Sequence, residues 1–109
     1  MVNYYADRLD LTFGALAHPV RRDLLKRLAR GEASVAELAK PHNISAPAIT
    51  KHLRILEEAG LMVRRKIGRV HRCRLVASRM REAERWIEHY RTFWTERLDQ
   101  LDQYLKNNP

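Results

Sequence analysis

Between Gly60 and Glu82 the chain carries eight basic residues, Arg64, Arg65, Lys66, Arg69, Arg72, Arg74, Arg79 and Arg81, and no acidic one. Lys and Arg number 21 over the 109 residues against 13 Asp and Glu, a formal net charge of +8. Basic and acidic residues outside the block balance, so this segment holds the whole excess. A merely solvated face mixes both signs. An unmixed block of guanidinium groups suits phosphate oxygens, and the partner it points to is a long polyanion.

A second group has the spacing to read bases. Ala46, Pro47, Thr50, Lys51 and Arg54 fall on one side of a helical stretch whose other side is Ile49, Leu53 and Leu56. A helix fits the major groove of duplex DNA, where Lys51 would donate to guanine acceptors. Thr50 would bond a base edge or offer its methyl group to thymine. Ser45 stands at the start of the same stretch. His52 either touches a phosphate or serves local packing, and the residues leave both open. Arg69, in the turn between two strand-like runs, is the candidate for the minor groove. Arg64, Lys66 and Arg72 would hold the sugar-phosphate backbone. Arg79 and Arg81 read as solvated arginines.

These residues need elements to position them. Leu9, Phe13, Leu16 and Ala17 recur at helical spacing, and His18-Pro19 breaks that first helix. Pro19 suits the first position of a second helix, lined by Val20, Leu24, Leu25 and Leu28 and closed by Gly31. Ser34 and Glu37 form a capping box for a short third helix, ended by Pro41, with each residue satisfying the other's backbone donor. Ser45 caps a fourth helix, and Ala59-Gly60-Leu61 closes it in the manner of a Schellman motif. Met62 to Ile67 and Val70 to Leu75 alternate as strands around a Gly68-Arg69 turn. Ser78 to Lys106 reads as one helix with Met80, Ala83, Ile87, Tyr90, Trp94, Leu98, Leu101 and Leu105 on a stripe that Trp86 and Phe93 widen. At ~1.5 Å per residue it would run roughly 40 Å, more than so small a domain can cover.

Two short helices joined by a turn, then a basic hairpin, form a winged helix–turn–helix. From Leu16 to Leu75 the chain resembles the ArsR family of bacterial transcriptional repressors. The resemblance rests on Leu16-Ala17-His18-Pro19-Val20-Arg21, Val35-Ala36-Glu37-Leu38-Ala39, Ile44-Ser45, Thr50-Lys51-His52-Leu53, Leu56, Ala59-Gly60-Leu61 and Gly68-Arg69. It implies that Ala46, Pro47, Thr50 and Lys51 enter the major groove. Many relatives have a polar amide where this chain has Ala46. The resemblance also implies a homodimer built on the first and last helices, segments 1–15 and 78–106 around a DNA-binding core at 16–76. Leu9 and Phe13 would then meet the tail of the other copy, with Trp86, Tyr90, Phe93, Trp94, Leu98 and Leu101 in the interface. The aromatic tail is similar to that of a subgroup that does not sense metals.

Other chemistries find little support. One metal site of the family uses two cysteines where this chain has Ser34 and Ala36. Another uses carboxylates and histidines on the last helix, where His89 stands beside Glu88. Adjacent helical residues point about 100° apart and share one ion poorly. No cofactor is expected. Cys73, the only cysteine, excludes an internal disulfide framework and reads as a partly buried small hydrophobe; a thiol redox sensor is the alternative. Ser34, Ser45 and Ser78 lie near no evident base, and Glu82, Glu84 and Glu88 read as a solvated face, so no enzyme is expected. No apolar run reaches the ~18 residues of a membrane span. The expectation is one mainly α domain over residues 1–109, cytoplasmic, a homodimeric repressor on an inverted-repeat operator. The effector is open between a small molecule and a protein. A non-specific architectural or protein-interaction module is the alternative of another class.

Overall fold

The computed structural model describes residues 4–108. The element order is α1 (Tyr4–Leu16), α2 (Pro19–Leu28), β1 (Ala33–Ser34), α3 (Val35–Ala39), α4 (Ala46–Glu58), β2 (Met62–Ile67), β3 (Val70–Leu75) and α5 (Ser78–Asn107). Of the segment 1–15 assigned to dimerisation, residues 1–3 lie outside the described ones.

Each helix start has its cause in local chemistry. His18 caps α2: its Nδ1 accepts from the Val20 N–H at 3.1 Å, and Pro19 needs no partner. Ser34 caps α3 by accepting from the Glu37 N–H at 3.1 Å. The return half of the expected capping box differs. The Glu37 carboxylate instead accepts from the Ser34 hydroxyl at 3.2 Å, and Ser34 also belongs to a two-residue strand, β1. Ser45 caps α4 by accepting from the Ala48 N–H at 3.3 Å. At the other end of α4 the Gly60 N–H reaches the Glu57 carbonyl and the Leu61 N–H the Leu56 carbonyl, both at 3.0 Å. That is a Schellman closure, and Gly60 takes the positive φ of +74° it demands. By contrast α2 ends at Leu28, short of Gly31.

The three strands form an antiparallel sheet in the order β1-β3-β2, with Cys73 of the central strand opposite both Ala33 and Arg64. Helices α2, α3 and α4 pack with this sheet around Leu24, Leu28, Leu38, Ile49, Leu53, Leu56, Leu61 and Met62. On α1 the inward side chains are Leu9, Thr12 and Ala15, with the Thr12 hydroxyl bonded back to the Arg8 carbonyl. Ala17, expected on this stripe, lies beyond the helix and is exposed, since the chain turns at Ala17-His18 to start α2.

Helix α1 packs on the first turns of α5 in the same chain. Leu9, expected to meet another copy, is buried within its own chain, and Phe13 stands edge-on to its own Trp86 with ring centroids 5.6 Å apart. Glu82 fixes this junction. It pairs with Arg8 of α1 at 3.2 Å and with Arg79 at 3.3 Å, and its hydrogen bond from Arg8 holds its carboxyl below the usual range. Neither Glu82 nor Arg79 is therefore the solvated side chain expected. Beyond Ala83 every described residue of α5 is exposed.

Candidate nucleic-acid interface

Helix α4 presents two faces. Ile49, Leu53 and Leu56 are fully buried, which fixes its rotation. Ala46, Pro47, Thr50, Lys51 and Arg54 then line one shallow outer concavity, as their spacing predicts. The N-terminus of α4 is free at this surface, so its partial positive charge adds to the two cations. Ser45 is exposed beside it, with its hydroxyl engaged in the cap.

His52 sits on the flank of α4 rather than on its outer face. Its ring lies 4.4 Å from that of His18, and its Nδ1 is 3.2 Å from Nη1 of Arg21. Arg21 is itself held by the Ala15 carbonyl at 2.7 Å and the Gly14 carbonyl at 3.1 Å. An arginine can only donate, so Nδ1 accepts and the ring proton sits on Nε2. Burial, then the neighbouring His18 and Arg21, pull the His52 pKa down. The structure thus places His52 in a joint between α1, α2 and α4.

The hairpin sorts its cations by parity. With Gly68-Arg69 in the turn, Ile67 faces Val70, Arg65 faces Arg72 and Val63 faces Arg74. Gly68 has φ +63° and Arg69 does not share the sign, the pattern of a type II′ turn with glycine first. Arg64 and Lys66 consequently share the face of Met62 and Cys73. Arg72 lies on the opposite face with Arg65 and Arg74. The expected trio Arg64, Lys66 and Arg72 is therefore divided between two faces, and Arg65 and Arg74, absent from that trio, belong with Arg72. The parity of a two-residue turn carried this information already, since it fixes every cross-strand pair.

Two of these arginines lean on the body of the domain. Arg64 pairs with Glu57 of α4 at 3.2 Å, and Arg72 with Glu37 of α3 at 3.6 Å. Among the described residues, Lys51, Arg54, Arg65, Lys66, Arg69 and Arg74 make no ion pair within the chain, whereas the pairs that do form join other residues. Like charges directly opposite on a sheet repel, as Arg65 and Arg72 do. A hairpin of this kind stores positive potential that an external anion relieves.

Cys73 is fully buried under β1, and burial pushes its thiol pKa up. A thiol of that kind is a poor nucleophile, contrary to what a redox sensor needs. No group of three or more His, Cys, Asp or Glu side chains among the described residues could hold a metal ion. No described helix is long and apolar enough to cross a membrane.

A family model described as a helix-turn-helix domain matches residues 16–65. The crystal structure of an ArsR family transcriptional regulator, RHA00566, superposes with a TM-score of 0.80 at 38% identity, covering 87% of this chain and 97% of that one. The chain belongs to the ArsR family of transcriptional regulators. Among curated relatives, the HTH-type transcriptional regulator Rv2034 of Mycobacterium tuberculosis is 41% identical over 59 residues, which cover 54% of this chain and 55% of that protein. The transcriptional repressor SdpR of Bacillus subtilis is 28% identical over 82 residues, covering 75% of this chain and 91% of that one. The chain spans about half the length of most curated relatives it matches. This ArsR-type frame makes α3 and α4 the helix–turn–helix and β2–β3 the wing.

Proposed function

We propose that this ArsR-family protein is a homodimeric repressor that binds an inverted-repeat operator and belongs to a subgroup without a metal sensor. Helix α4 enters the major groove with Thr50 and Lys51 toward base edges, and Ala46, Pro47 and Arg54 flank them. Arg69 reaches the minor groove beside it. Lys66, with Arg65 and Arg74, meets the phosphates, while Arg64 and Arg72 brace the wing against Glu57 and Glu37. A two-fold dimer sets two such helices about one DNA turn apart. Occupying a promoter then blocks the polymerase.

The observation that carries this reading is the α4 surface. Five side chains of one helix face form a single open concavity, flanked by a cationic hairpin and free of any lining carboxylate. The test is selection of bound duplexes from random DNA, followed by competition with unrelated DNA. A specificity ratio of at least ~10³ supports a repressor, and a ratio near one supports the architectural alternative. With the selected operator, Lys51→Ala should relax preference at one base position at a cost of ~1–3 kcal/mol. Arg69→Ala should weaken all sequences alike and lower the salt slope by ~1. Unchanged sequence preference in Lys51→Ala would refute the assignment of the reading face.

A further inference from the structure

A separate groove opens between α2, the end of β3 and the first turn of α5. Leu16, Leu25, Ala29, Leu75 and Met80 form its walls, and Arg22 and Lys26 stand among them. Its volume is about 340 Å³, at the small end of the range for ligand pockets. We propose that it binds a small amphipathic carboxylate, an acid group on a medium-length apolar chain such as octanoate.

Two observations choose that chemistry. The walls are apolar, so the buried part of the ligand is hydrocarbon. Arg22 and Lys26 line it through their aliphatic stems, which carry two cations to its rim, and no carboxylate is in the lining, so the head group is an anion. Lys26 makes no ion pair among the described residues. Arg22 gives Nη1 to the Leu16 carbonyl at 2.7 Å, which anchors the guanidinium and leaves its other N–H groups to an acid.

Four other surface concavities either have a carboxylate in the lining or belong to a surface already described. One beside α3 has Asp23 and His42 already paired at 3.3 Å, and one on the wing is walled by arginines and Glu32. The two remaining ones belong to the α4 face and the aromatic stripe. The groove also sits where a ligand would be felt. Leu75 ends the strand that carries the wing, and Met80 begins the helix proposed to hold the dimer. Calling the ligand an effector rests on the DNA-binding reading; the binding itself does not.

The test uses the intact, DNA-free protein with ¹³C-labelled methionine methyls. Met62 is buried in the core, whereas Met80 is 37% exposed in the groove. Octanoate should shift the Met80 methyl saturably and leave Met62 unmoved. Octan-1-ol should bind about fivefold more weakly, the worth of an exposed ion pair, and octylammonium should not saturate. Lys26→Gln combined with Arg22→Gln should bring octanoate and octan-1-ol together, and Ala29→Leu, which fills the groove from an exposed helix end, should abolish the shift. An unmoved Met80, an equal response to octylammonium, or a shift that survives Ala29→Leu would each overturn the site. So would a Met80 signal that moves on protein dilution alone, because another copy would then occupy the groove. Operator affinity, measured apart, tests the DNA-binding reading whatever the titration gives.

Discussion

His52 shows how much of one side chain's surroundings its neighbours in the chain leave open. Flanked by Lys51 and Leu53 on the reading helix, it invites assignment to a phosphate. In the fold its ring lies tilted against His18 and accepts from Arg21, which also satisfies two carbonyls at the end of α1. Protonation would end that acceptance and set a positive ring against Arg21. The folded-state pKa therefore lies below the ordinary 6.5, through burial first and then the cations around it. The folded protein binds fewer protons at this site than the unfolded chain, so stability rises with pH. The contribution of His52 is full above the unfolded value and is lost as pH falls through the folded one. Thermal melts from pH 7.5 to 5 should show Tm falling more steeply in the natural protein than in His52→Gln, whose amide oxygen can still accept from Arg21. Parallel profiles would exclude this role.

At the scale of elements, short signals close to one another in sequence determine where helices and strands begin and end. The bounds of α4, β2 and β3 follow from Ser45, Ala59-Gly60-Leu61 and Gly68-Arg69 because capping and turn chemistry act within a few residues. Gly60 carries a further load. A Cβ built there would lie 3.1 Å from Cγ of Arg79, whose guanidinium pairs with Glu82 and thus with α1. Gly60→Ala should cost more than ~1 kcal/mol through the positive φ alone, lowering Tm by roughly 4–8 °C per kcal/mol. Gly14→Ala, in the last turn of α1 with open space around it, should be neutral or stabilising in the same melts. Equal effects of the two would show that the Schellman closure does not limit stability. The strand β1 escaped sequence reading because two residues carry no periodicity; only the distant β3 makes them a strand.

For the whole molecule, surface area speaks most clearly. The chain exposes 8320 Å², against about 6,300 Å² expected for a compact protein of 12.9 kDa. Its radius of gyration is 18.9 Å, where a compact chain of this length has about 13 Å. The excess of about 2,000 Å² on one chain is more than the ~800 Å² per partner of a standard interface and is of the size that obligate dimers bury. It lies along α5, where Tyr90, Phe93, Trp94, Leu98, Leu101, Tyr104 and Leu105 are all exposed. Arg97 over the Phe93 ring, 4.9 Å from its centroid, covers only part of this stripe. Sedimentation should give twice the chain mass. Trp94→Glu with Leu98→Glu should shift it toward one and reduce operator affinity, since both half-sites can no longer be held by one particle. A double variant that stays paired would move the interface elsewhere.

Chemistry that acts over a few residues was readable from the chain alone: the caps, the turn, the apolar stripes, the basic block and the outward side of α4. The winged fold followed from their order. The tertiary structure decided what depends on residues far apart in sequence. It joined Ala33-Ser34 to β3, buried Leu9 within its own chain, set Phe13 edge-on to its own Trp86, drew Glu82 and Arg79 into one ion-pair cluster with Arg8, and set His52 beside His18. It also set two wing arginines against carboxylates of the body and left six cations facing outward. The reason is physical. A helix face or a hairpin register is set by local geometry, whereas an ion pair or a buried ring exists only once the core has brought separate elements within a few ångströms.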